Sequence, residues 1–105
     1  MRRELDRANA AISNQRWREA DRIYSRLAAG EGGTNPVVFN NAAMVKLQLG
    51  DEEGALKMAR RAYQLMPDDP YVRDTLGWTL FMNGKDIDAA SQHLTAAYRA
   101  QPHNL

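Results

Sequence analysis

Small and large apolar side chains follow one another along this chain on a long, fixed period. Ala20, Ala55 and Ala90 stand 35 residues apart, and each is followed four residues on by Tyr24, Ala59 or Leu94 and seven on by Leu27, Ala62 or Ala97. Apolar positions four and seven apart share one face of an α-helix, so the pattern predicts amphipathic helices. Breakers set the ends. A first helix is expected from about Arg2 to Ser13 and a second from about Gln15 to Ala28, with Asn14 as its N-cap. Gly30-Glu31-Gly32-Gly33-Thr34-Asn35 reads as a loop, and Pro36 opens a third helix running to about Leu49. Gly50-Asp51 turns the chain, and Asp51 caps a fourth helix through about Leu65. Pro67-Asp68-Asp69-Pro70 stops, caps and restarts it. A fifth helix is expected from Pro70 to about Met82, then an Asn83-Gly84 turn, and a sixth from about Asp86 to Ala100, before Pro102.

β-Branched residues are sparse and nowhere alternate with period two, so strands are not expected. The fold class is therefore all-α, six helices in three antiparallel pairs. A period in the thirties that covers the chain signals stacked repeats, in which each unit buries its apolar face only against its neighbours.

The residues at the repeated positions resemble the tetratricopeptide repeat, a helix–turn–helix unit with small residues where its helices cross. One copy carries Phe39, Ala43, Gly50, Ala55, Ala62 and Pro67, and the next carries Leu76, Gly77, Leu80, Gly84, Ala90, Ala97 and Pro102. An earlier copy fits at Ala8, Trp17, Ala20, Tyr24 and Leu27, but Arg7 stands where leucine is usual and no proline closes it. The resemblance implies a right-handed solenoid forming a single domain over residues 1–105, with repeats at about 1–34, 36–69 and 70–105. The first helix of the last copy is offset by 34 residues from the copy before it and the second helix by 35, so an extra residue must lie between Gly84 and Asp88. The run Asp74-Thr75-Leu76-Gly77-Trp78 is similar to repeats at the end of long bacterial tetratricopeptide proteins.

In that family the first helix of each pair lines a concave groove. Carried over by position, the groove residues are Asn9 and Ser13, then Val37, Asn40, Asn41, Met44 and Gln48, then Tyr71, Asp74, Thr75, Trp78, Phe81 and Met82. Asparagine amides pair with a peptide backbone and aromatic faces anchor its side chains. The implied function is protein–protein interaction: a scaffold or adaptor that holds a peptide segment in the groove. Helical spacing equally suits Trp78, Phe81 and Met82 to packing against a further repeat, and Asn9 and Asn41 to fastening neighbouring helices. The alternative role is a structural spacer whose ends stack on further repeats or on a second copy. A weak homodimer through the end carrying Trp78, Phe81, Leu94 and Tyr98 is the expected form of that contact. Some family members grip chaperone tails with two asparagines and three basic residues. Asn9 and Asn41 match the asparagines, but Leu5, Tyr71 and Thr75 stand at the basic positions, which removes the charge-assisted bonds.

Composition excludes more than it adds. The chain is 44% hydrophobic and 26% charged, close to an ordinary globular average, and it carries a net charge of +1. That charge gives no general attraction to nucleic acid, and the apolar runs fall far short of the roughly 20 residues that span a bilayer. No cysteine is present, so disulfides and thiol chemistry drop out. Arg18, Arg22 and Arg26 form a stripe that reads as a solvated face beside Glu19 and Asp21, without the interleaved aromatics of a nucleic-acid platform. His93 and His103 lack a third ligand at metal spacing, and His93 reads as a surface or interface residue. The glycine loop has no phosphate-binding lysine, and no nucleophile motif positions the serines. No cofactor and no enzyme activity are expected. A cytoplasmic location is expected, or a periplasmic one if the segment belongs to a longer secreted protein.

Overall fold

The computed structural model describes residues 1–100, which places Pro102, His103 and the rest of the last five residues outside the described part. Six helices follow in order: α1 (Arg2–Ser13), α2 (Trp17–Ala29), α3 (Pro36–Gln48), α4 (Glu52–Leu65), α5 (Pro70–Met82) and α6 (Ile87–Ala100). No strand occurs among the described residues, and no helix there is long and apolar enough to cross a membrane. Each helix packs chiefly on its neighbours in sequence, α1 on α2, α3 on α4 and α5 on α6, and these three pairs stack through α2 against α3 and α4 against α5.

The turn within each pair is the same device used three times. Gln15, Gly50 and Gly84 take left-handed φ angles of 59°, 79° and 64°. The next amide in each case reaches back five residues, Arg16 to the Ala11 carbonyl at 2.8 Å, Asp51 to Lys46 at 2.9 Å and Lys85 to Leu80 at 3.0 Å. These bonds satisfy carbonyls that a helix end otherwise strands. Glycine suits this position because it has no Cβ to clash. Gln15 holds it at a cost of about 1 kcal/mol.

This geometry corrects the expected start of the second helix. Asn14 is the C-cap of α1, its side-chain amide donating to the Ala10 carbonyl at 3.0 Å, and not the N-cap of α2. Gln15 turns left-handed and Arg16, with ψ 72°, is the non-helical N-cap, so α2 begins at Trp17. Asp51 and Asp69 cap as the sequence indicates, accepting from the amides of Gly54 and Val72 at 3.0 Å, and Asn35, read only as the last loop residue, caps α3 by accepting from the Val37 amide at 2.9 Å. The extra residue of the last pair is Lys85. It separates Gly84 from Asp86, whose carboxylate accepts from the Ala89 amide at 3.0 Å and starts α6 one residue later than expected.

The core runs down the stack in three contiguous groups. The first gathers Ala8, Ala20, Tyr24, Leu27, Val38 and Val45, the second Ala43, Leu56, Leu76, Leu80 and Ala90, and the third Phe39, Ala62 and Val72. Burying each large member contributes about 1.5–3 kcal/mol, while the alanines let the helix backbones approach. Lys46 crosses from α3 to Asp21 of α2 at 3.0 Å with its side chain largely buried. Between α5 and α6, the Arg73 Nε donates to His93 Nδ1 at 3.2 Å, and the Tyr63 ring of α4 meets the imidazole edge-on at 5.0 Å. His93 is thus an interface residue.

Candidate functional site

Helices α3 and α5 lie side by side, and two adjoining clefts of about 300 and 270 Å³ open between them. Both are lined by Asn40, Met44 and Tyr71. The first adds Val37 and Asn41, and the second adds Gln48, Asp74, Thr75 and Trp78. These residues recur at three- and four-residue steps because each cleft is walled by one face of each helix. Pro36 and Pro70, each just after a capping side chain, start the two helices and so set which face turns into the cleft.

The walls are apolar and open. Val37, Met44, Tyr71 and Trp78 each expose about half or more of their surface, and Phe81 does the same just outside the clefts, its ring edge-on to Trp78 at 5.9 Å. Asn40 sits beneath them, 9% exposed, and its Oδ1 has no hydrogen-bond partner among the described residues. A buried acceptor left unpaired costs about 1–3 kcal/mol. Thr75 is buried beside it. Asp74 lies next to Trp78; burial raises its pKa above the ordinary carboxylate value, and a hydrogen bond from the Trp78 indole works against that rise.

The two asparagines of the clamp pattern are engaged elsewhere. The Asn41 amide donates to the Tyr24 hydroxyl at 3.2 Å, and that hydroxyl donates to Asn9 Oδ1 at 2.7 Å. This chain ties α3, α2 and α1 together across two pairs. Burial raises the Tyr24 pKa and the Asn41 bond opposes the rise. Asn9 and Ser13 line neither cleft, Ser13 is exposed, and Leu5 packs against the first core group. Met82 is half exposed.

Of the arginine stripe, Arg18, Arg22 and Arg26 are all exposed, and Arg26 pairs with Glu4 at 3.4 Å. Among the described residues no cluster of three metal-ligating side chains occurs; His103 lies outside them. The sequence reading passed over a larger cleft, about 640 Å³, between α2 and α4. Its one signal was the spacing of Lys57, Arg60 and Arg61 along a single face of the fourth helix.

No family model matches the chain, and no curated protein matches it by sequence. Solved structures do. The second tetratricopeptide domain of Spaghetti (RPAP3), bound to the HSP90 peptide SRMEEVD, matches with a TM-score of 0.81 at 24% identity over 90% of this chain and 85% of that one. The second tetratricopeptide domain of human RPAP3, in complex with the HSP70 peptide SGPTIEEVD, matches with a TM-score of 0.79 at 25% identity, over 94% and 81%. The Sgt2 tetratricopeptide domain from Aspergillus fumigatus matches with a TM-score of 0.82 at 21% identity, over 95% of this chain and 65% of that domain. The fold is therefore all-α and tetratricopeptide-like.

Proposed function

We propose that this chain is a protein-interaction module that holds an extended peptide segment in the clefts between α3 and α5, serving as a scaffold or adaptor. The observation that carries this reading is Asn40: a buried acceptor without a partner among the described residues, lying where two apolar clefts meet. Oδ1 itself is closed off from the cleft, but turning the Asn40 amide over brings it to the cleft face, where a backbone N–H of a bound segment would satisfy it, and the exposed Met44, Tyr71 and Trp78 would flank the segment's side chains. Structures of similar fold hold the chaperone peptides described above. Here Leu5, Tyr71 and Thr75 stand where the clamp pattern has cations, and Asn9 and Asn41 are tied to Tyr24. The ligand proposed is accordingly a segment with uncharged, apolar side chains, not an acidic tail.

The test starts from short random peptides displayed on phage and selected on the immobilised protein. Asn40→Leu keeps the shape but removes the acceptor, and should weaken a selected peptide roughly five- to tenfold. Trp78→Ala should weaken it as well, and the peptide SGPTIEEVD should bind no better than its scrambled form. Peptides held equally by wild type and both variants would remove the groove reading.

A second reading is self-association through the last helix pair, favoured by the half-exposed Trp78, Phe81, Met82 and Tyr98. A light-scattering mass that stays monomeric as concentration rises would count against it.

A further inference from the structure

We propose that the cleft between α2 and α4 is a second docking site, which takes an acidic segment of a protein partner carrying at least one apolar side chain. At about 640 Å³ it is larger than either groove cleft. It stays open because α2 packs on α1 and α3 while α4 packs on α3 and α5, and α2 offers it only the small side chains of Ser25, Ala28 and Ala29. α3 separates the two sites: Phe39 lines this cleft, whereas Val37, Asn40 and Met44 line the groove.

Charge selects the occupant. Lys57, Arg60 and Arg61 of α4 and Lys85 of the α5–α6 turn line the cleft against one carboxylate, Glu53. That leaves a local excess of three positive charges in a chain whose net charge is +1. All four cations are exposed, and none has a carboxylate within ion-pair distance among the described residues, in contrast to Arg16, Arg26 and Lys46. Arg61 is already positioned. Its guanidinium carbon lies 5.9 Å from the centroid of the Phe39 ring, and it donates to Gln64 Oε1 at 3.2 Å. A held guanidinium loses little entropy on meeting a carboxylate and can bind it with two parallel bonds.

The apolar requirement comes from Ala28, Ala29 and Met58, which line the cleft beside the cations and keep part of their surface open. Glu53, Lys57, Arg60, Arg61 and Gln64 share one face of α4 over about 16 Å, room for a short peptide segment. Nucleic acid fits less well. The one aromatic ring in the cleft is buried and covered by Arg61, so no base can stack on it.

The probe is a fluorescein-labelled peptide with a central phenylalanine flanked on both sides by glutamates, with versions in which glutamine replaces the glutamates or alanine the phenylalanine. Fluorescence anisotropy is read at low and physiological salt. Wild type should bind the parent peptide, more weakly as salt rises, and both altered peptides at least fivefold more weakly. K57E/R61E, both at exposed positions, should lose at least tenfold, with its helical circular dichroism unchanged. Ala29→Trp should fill the cleft and weaken binding without altering charge. Trp78→Ala, in the groove, should bind as wild type does. The proposal is overturned if wild type fails to bind, or if K57E/R61E binds as well as wild type. Binding lost in Trp78→Ala instead would place the peptide in the groove. Equal, K57E/R61E-sensitive binding of phosphatidylserine vesicles or a single-stranded oligonucleotide would reduce the site to a general polyanion surface and overturn it too.

Discussion

Gly77 is where α5 lies tight against α6, and adding one methyl group there measures how tight. An alanine Cβ at this position would lie 2.7 Å from Leu94 Cγ, 2.9 Å from Leu94 Cδ2 and 3.1 Å from the Ala90 carbonyl oxygen. Comfortable carbon–carbon contact is about 3.5–4.0 Å, so the new atom stands nearly 1 Å inside Leu94. Leu94 can turn, since it is only partly buried, but the Ala90 oxygen belongs to the α6 backbone and moves only with the helix. Against this, alanine is favoured over glycine inside a helix by about 1 kcal/mol. Overpacking of this kind costs about 1–3 kcal/mol, so Gly77→Ala should destabilise by about 0–2 kcal/mol. For a domain of this size, each kcal/mol lowers the melting temperature by roughly 4–8 °C. Urea unfolding followed by circular dichroism, with Leu94→Ala as a second background, separates the causes. Removing Leu94 takes away two of the three close atoms, so in that background Gly77→Ala should turn neutral or stabilising. A gain of the full helix-propensity term in the wild-type background, or the same effect in both, would refute the close approach.

Ala90→Leu, at a fully buried position of the same crossing, should cost about 1–3 kcal/mol, and an unchanged melting temperature would contradict the register. Gln15→Gly should stabilise by about 0.5–1 kcal/mol in a thermal melt, since it relieves the left-handed strain at no contact cost. Tyr24→Phe breaks the link between Asn9 and Asn41 and should cost about 0.5–1.5 kcal/mol by urea titration. His93 gives a pH dependence: burial lowers its pKa below 6.5, the Arg73 cation adds to this, and Asp86 opposes it. A lowered folded pKa means the unfolded chain binds the proton more readily. The contribution is therefore complete above about pH 6.5 and is lost as pH falls through the folded value. Urea midpoints measured between about pH 5 and pH 7.5 should fall more steeply towards acid for wild type than for His93→Gln.

The sequence by itself determined the helices and their order. Prolines at 36 and 70, the capping Asp51 and Asp69, and the glycines at 50 and 84 act within a few residues of themselves, so they could be read one at a time. The alanine period could be read for the same reason: a helix crossing needs a small side chain whatever its partner is. The one turn misjudged, at Asn14 and Gln15, is the one that lacks glycine and so carries no local mark of its left-handed backbone. The candidate site was legible as a face and not as chemistry. Position along α3 and α5 placed Val37, Asn40, Met44, Tyr71 and Trp78 together. It gave no sign that Asn41 and Asn9 are joined through Tyr24 while the Asn40 acceptor has no partner among the described residues. Only the tertiary structure decided that, and it also opened the cationic cleft between α2 and α4. Each of these depends on how helices separated by a turn or a whole pair are set against one another. Hydrogen bonding and exposure depend on that three-dimensional placement, which a spacing along the chain does not carry.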